Sequence, residues 1–143
     1  MNTARKKTIE LFNDIPQGFD VLNDIYAPEA TFVDPVGTIQ GREKIKSYFE
    51  EMYENIISIH FDFHDFLFQE SKATVTWTMN FQSSSLKGGS MITVEGISML
   101  EFEEDSHRII YHRDYFDLAE MVYENIPILG SLIRFIKNKL KHD

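Results

Sequence analysis

The chain has 143 residues, no cysteine and a formal net charge of −9, from 14 Lys+Arg against 23 Asp+Glu. That is one domain, long enough to bury a core without help, and the missing cysteine excludes both a disulfide framework and a thiolate zinc site. Residues 131–143 hold Arg134, Lys137, Lys139 and Lys141 against Asp143, a net +3, so the rest of the chain carries −12; an acidic body excludes nucleic acid as a partner, because phosphate binding needs clustered Lys and Arg.

Hydrophobic residues make up 43% and aromatics 13%, a globular composition. The N-terminus from Met1 to Phe12 is interrupted by Arg5, Lys6, Lys7 and Glu10. It lacks the apolar stretch of a secretory signal, and no window approaches a membrane span of roughly 18 apolar residues. The expectation is a cytoplasmic protein.

In chain order, residues 3–13 predict a helix with Ile9, Leu11 and Phe12 as its apolar edge. A turn at Pro16–Gly18 leads into a short second helix, with Asp20 as N-cap and Val21, Leu22, Ile25 and Tyr26 as its apolar face. Ala30–Val33 reads as a strand stopped by the turn Asp34-Pro35-Val36-Gly37. Gly41-Arg42-Glu43 opens a third helix, whose apolar face is Ile45, Tyr48, Phe49 and Met52. The period then changes to two, predicting strands at about 57–68, 73–82, 91–102 and 108–117. After Asp117 the pattern is helical through about Asn125. Pro127 and Gly130 interrupt it, and a last helix runs from about Ser131 to Leu140. Helices followed by antiparallel strands give an α+β layout, with a curved sheet against helices.

The last strand carries the strongest chemical signal. Alternation puts Ile110, His112, Asp114 and Phe116 on one face and Tyr111, Arg113, Tyr115 and Asp117 on the other. A polar pair between apolar neighbours, about 6.5–7 Å apart at Cα, can reach one ligand. A desolvated carboxylate there suits general acid or base work. The plain alternative is that Asp114 pairs with a core donor, such as a Tyr hydroxyl or His112 itself. Asp34 has its own alternative, a turn aspartate that accepts backbone N–H bonds. In strand 73–82, periodicity sends Val75, Trp77, Met79 and Phe81 inward and Thr74, Thr76, Thr78 and Asn80 outward; Trp77 and Met79 are favoured as cavity walls, and a one-residue slip reverses the answer. His60, Asp62 and His64 share a face at metal-ligand spacing, but no fourth ligand is evident and a solvated polar face is the better reading. The tail is a basic amphipathic helix built on Leu132, Ile133, Phe135, Ile136 and Leu140. It is expected to pack on its own acidic body or a dimer mate, or to cover a pocket, rather than to lie on a membrane surface.

Two motifs carry a resemblance. Tyr26-Ala27-Pro28-Glu29-Ala30-Thr31-Phe32-Val33-Asp34-Pro35-Val36-Gly37, followed by Gly41-Arg42-Glu43-Lys44-Ile45, resembles the base-bearing segment of ketosteroid isomerases, with Asp34 at the base position. His112-Arg113-Asp114-Tyr115-Phe116-Asp117 is similar to the end of the last strand in limonene epoxide hydrolases, with Asp114 at the position of a catalytic aspartate. Together with the order of elements, over about residues 5–130, they resemble the nuclear transport factor 2-like, or SnoaL-like, superfamily. The resemblance implies a cone-shaped α+β fold over residues 1–130, with residues 131–143 as an added helix. It also implies an apolar pocket for a hydrophobic small molecule, neither cofactor nor metal, and a homodimer. The chain departs from both enzymes. Ser98 stands where the isomerase has its oxyanion-hole Asp, and the first helix offers Glu10, Leu11 and Phe12 but no Tyr. Thr78 and Asn80 stand where the hydrolase needs Arg and Asp. Neither standard reaction is preserved. The expectation is therefore an isomerase, cyclase or hydrolase of another kind, with Asp114, Asp34 and His112 as acid/base groups and Trp77, Met79, Ser98, Tyr48, Phe49, Met52 and Phe116 lining the pocket. The alternative is a non-catalytic binding or interaction module.

Overall fold

The computed structural model describes residues 2–121 and 127–142. Helix α1 (Asn2–Glu10) runs into a 3-10 segment, Leu11–Gln17, and a short helix α2 spans Leu22–Ile25. Strand β1 (Tyr26–Asp34) turns back through β2 (Gly37–Gln40) and is followed by α3 (Arg42–Met52). Four long strands follow: β3 (Ile56–Gln69), β4 (Lys72–Ser83), β5 (Ile92–Phe102) and β6 (Ile109–Phe116). A single turn, α4 (Leu118–Met121), and α5 (Pro127–His142) complete the chain. Among the described residues, no helix is long and apolar enough to cross a membrane.

The six strands form one curved, unclosed sheet in the order β2-β1-β6-β5-β4-β3. All neighbours are antiparallel except β1 and β6, which run parallel. This is the α+β layout read from the pattern. The inner face of the sheet packs on the N-terminal helices, with Ile9, Leu22, Ile25, Ile45, Val75, Val94 and Leu100 among the buried side chains. The period of two in β4 is complete: Ala73, Val75, Trp77, Met79 and Phe81 are buried while the alternating Thr and Asn residues stay partly exposed. In β3, a register shift between Phe63 and Phe66 keeps Phe61, Phe63, Phe66 and Phe68 on the inner side despite their broken spacing, and such a bulge also bends the strand. Asn13 fixes this edge strand to the helical layer: its side-chain amide accepts from Phe61 N at 2.8 Å and donates to Phe61 O at 3.0 Å.

Several expectations need correction. Asp20 caps no helix; its carboxylate takes the Lys46 ammonium at 2.9 Å instead. Strand β1 starts four residues before the expected Ala30, and Gly37–Gln40 is its hairpin partner rather than loop. At the start of β6 the inward residue is Ile109, not Ile110, because the β5–β6 register shifts at Glu101–Phe102. The last helix starts before the expected Ser131: Pro127 is the first residue of α5, where its missing N–H costs nothing, and Gly130 lies inside the helix. The expected helix up to Asn125 is seen as far as Met121, and its remainder lies outside the described residues. Lys137 on α5 donates to Asp117 at 2.6 Å, one contact of the basic tail with the acidic body.

Candidate functional site

The inner face of the sheet, α1 and α3 enclose a cavity of about 80 Å³. β6 supplies His112, Asp114 and Phe116 from alternate positions; β5 supplies Ser98; β4 supplies Val75, Trp77 and Met79; α3 supplies Tyr48, Phe49 and Met52. Asp34 reaches the same cavity from the end of β1. The parallel pairing explains this convergence. Phe32 is opposite His112 and Val33 opposite Arg113, so the next residues along the two strands are Asp34 and Asp114. Every residue expected at the site lines this one cavity, Met52 from a partly exposed position at its edge. Thr78 and Asn80 do not: they bond His64 and Thr93 on the outer face. Periodicity, not the hydrolase alignment, gives the correct face of β4.

Asp114 sits at the centre of a hydrogen-bonded chain. Its Oδ1 accepts from Ser98 Oγ at 2.5 Å and is 2.6 Å from His112 Nε2. Ser98 Oγ in turn accepts the indole N–H of Trp77 at 2.9 Å. At the other end, Tyr26 Oη lies 2.7 Å from His112 Nδ1. Tyr26 is fully buried, and burial, reinforced by the charge of Asp114, pushes its phenol well above the ordinary value. The hydroxyl therefore keeps its proton, and His112 Nδ1 is the partner found for it. Tyr26 Oη and His112 Nδ1 share one hydrogen bond, and His112 Nε2 is the donor to the Asp114 carboxylate, which can only accept. Both donors converge on Oδ1. Among the described residues no hydrogen bond reaches Oδ2 of Asp114, and the residue lines the cavity.

Asp34 is more fully engaged. Its Oδ1 accepts from Val36 N at 2.9 Å and Gly37 N at 3.2 Å, the turn role anticipated for it. Its Oδ2 accepts from Tyr48 Oη at 2.5 Å. Burial first, then this bond, raise the Tyr48 phenol above its ordinary value. Tyr53 is raised by burial and by the Asp114 charge. Tyr26 and Tyr53 thus stay protonated in the folded state when free tyrosine ionises. The unfolded chain loses those protons above about pH 10 and the folded chain keeps them, so stability is intact below pH 10 and falls above it. The two together are expected to remove about 3 kcal/mol by pH 11. Urea unfolding at pH 9, 10 and 11 measures this, and Tyr53→Phe should make the fall shallower.

Three features of the site have weak sequence signals. Tyr26, read as a helix-face residue, is the partner that orients His112. Tyr48, read as a wall, is the hydrogen-bond donor to Asp34. Gly96 faces Trp77 across β4–β5, and a Cβ there would lie 2.3 Å from the indole; a glycine inside a strand is the one signal that marks such a close approach. His60, Asp62 and His64 form no metal cluster among the described residues. His60 contacts Asp62 at 3.2 Å, while His64 contacts Thr78 at 2.8 Å.

Many solved structures share this fold. A candidate SnoaL-like polyketide cyclase from Jannaschia sp. CCS1 superposes with a TM-score of 0.70 at 15% identity, covering 83% of this chain and 89% of that one. A protein of ketosteroid isomerase-like fold from Catenulispora acidiphila, solved with trimethylamine, gives 0.70 at 18% identity, covering 82% and 90%. An LEH-like epoxide hydrolase of M. tuberculosis gives 0.68 at 16%, covering 83% and 82%. At these identities the likeness is one of fold. No curated protein matches the chain in sequence. The model of the SnoaL-like domain matches residues 8–112, from the inner turn of α1 to the histidine that binds Asp114, and on that match the chain belongs to the SnoaL-like domain family.

Proposed function

We propose that this SnoaL-like domain carries out proton-transfer chemistry on a small molecule with an apolar body, with Asp114 as the acid/base group. One observation carries the reading. Asp114 lines the apolar cavity with one oxygen fixed by two donors and the other without a partner among the described residues, which is how a carboxylate is held to exchange a proton with a bound ligand. His112 and Ser98 position it. Asp34 adds a second carboxylate at the cavity edge, itself held by Tyr48 and the turn. The neighbours of this fold include a candidate cyclase and an epoxide hydrolase, so the fold alone does not select a reaction.

The test needs no knowledge of the natural substrate. 5-Nitrobenzisoxazole opens to a coloured phenolate when a base removes its single carbon-bound proton, and desolvated carboxylates do this far better than acetate in water. The wild-type protein is expected to accelerate the opening, and Asp114→Asn to lose that acceleration. Equal rates in the two proteins would sink the acid/base reading and leave a binding pocket.

The homodimer belongs to the same proposal. Ile97, Met99 and Tyr115 are exposed together on the outer faces of the adjacent strands β5 and β6, which supports pairing through that face. Sedimentation equilibrium is expected to give twice the chain mass for wild type and the single-chain mass for Met99→Glu; a wild-type monomer overturns the expectation.

A further inference from the structure

The charges around the cavity are one-sided. Among the described residues its lining includes the carboxylates of Asp34 and Asp114 and no Lys or Arg. Residues 114–133 hold no Lys or Arg, and the basic residue of α5 seen against the body, Lys137, is bonded to Asp117. Arg113 belongs to the opposite face of β6, where its guanidinium lies 4.9 Å over the ring of Tyr115, and it lines an outer groove together with Asp34 and Asp114. Inside, the walls are aromatic. Phe32 packs edge-on to His112 at 4.8 Å and near Tyr48 at 5.7 Å, Trp77 lies 6.2 Å from Phe116, and Phe49 closes the α3 side. The negative charge is felt throughout, since Asp114 contributes to holding three surrounding phenols protonated.

Ring faces and an unpaired carboxylate oxygen are what a small organic cation needs: the rings attract it through their quadrupoles, and the carboxylate supplies charge and a hydrogen-bond acceptor. An anionic ligand meets two like charges with no Lys or Arg among the described lining residues, and a neutral ligand leaves Oδ2 of Asp114 without a strong donor. We infer that the cavity selects a small protonated amine, whose alkyl groups lie against Phe32, Trp77 and Phe116 and whose N–H donates to Oδ2 of Asp114. This rests on the reading of the cavity as a small-molecule site and adds the class of ligand.

Calorimetric titration of the intact protein with trimethylammonium, tert-butanol and pivalate varies the charge on one shape, because the three share a head of three methyl groups and are cationic, neutral and anionic. Trimethylammonium is expected to bind at least tenfold more tightly than tert-butanol, with no binding of pivalate. It should also perturb the fluorescence of Trp77, the single tryptophan of the chain. Asp114→Asn is expected to weaken the cation at least tenfold and leave tert-butanol unchanged. No binding of the cation, equal affinity for tert-butanol or pivalate, or an Asp114→Asn variant that binds the cation as wild type does would each overturn the inference. The wild-type comparison decides the matter even if the variant does not fold. Benzisoxazole opening is read separately: if it depends on Asp114 while amines fail to bind, only the ligand class is wrong, and the reverse result removes the chemistry but keeps the amine site.

Discussion

Asp114→Asn is expected to slow benzisoxazole opening by about 100-fold or more, within the usual range for loss of a positioned general base, while leaving the fold in place. The stability half of this expectation follows from the hydrogen bonds. Both donors to Asp114, Ser98 Oγ and His112 Nε2, use Oδ1. An asparagine carbonyl at that position accepts from both. Its amide nitrogen replaces Oδ2, the atom with no partner to lose. The activity half follows from the same geometry, because the atom replaced is the free one. Asp114→Ala differs: it strands two donors at a cost of about 1–3 kcal/mol each, so lost activity would be confounded with lost structure. Ser98→Ala inverts the pattern. It leaves the buried indole N–H of Trp77 without its acceptor, for about 1–3 kcal/mol of stability, yet keeps Oδ2 free and should change the rate less than tenfold. Activity lost in Asp114→Asn with stability kept, and the opposite in Ser98→Ala, is the signature of a base held by its neighbours. Rates and urea midpoints for the two variants read it.

The sequence made the sheet legible because burial on one face forces a period of two. The β4 residues Val75, Trp77 and Met79 were identifiable as walls from that alone, and the alignment that placed Thr78 and Asn80 inside had no burial to support it. His112 and Asp114 were legible for the same reason, as a polar pair inside an apolar alternation. Register was not. The shift at Glu101–Phe102 exchanges Ile110 for Ile109, and the Phe63–Phe66 shift keeps four phenylalanines inward; a bulge inserts a residue without any change in composition. Partners distant in sequence were hidden as well. Tyr26 and His112 are 86 residues apart, and only the parallel β1–β6 pairing brings them together. The two readings of Asp34, turn residue and cavity residue, proved compatible because a carboxylate has two oxygens: one serves the turn and the other meets Tyr48.

Gly96→Ala is expected to cost about 3 kcal/mol, although alanine ordinarily improves a strand position. The backbone is not the obstacle, as Gly96 is not among the positive-φ glycines. The obstacle is Trp77, whose Cη2, Cζ2 and Cζ3 atoms would lie 2.3, 2.4 and 2.9 Å from the added Cβ. Those are ring atoms of a buried side chain, so the indole must rotate or the strands must part. Overpacking of this kind costs roughly 1–3 kcal/mol, and tilting the ring also breaks the Trp77–Ser98 bond, worth about 1 kcal/mol. The effect then reaches the site, because Ser98 is one of the two groups that orient Asp114. Urea unfolding measures the loss, and the emission of the single tryptophan reports the displaced ring. A cycle with Trp77→Leu isolates the cause: with the indole gone, the added methyl meets no ring, so Gly96→Ala should cost little in that background. A full cost in both backgrounds would place the strain in the backbone, and Trp77 would not be what requires glycine at this position.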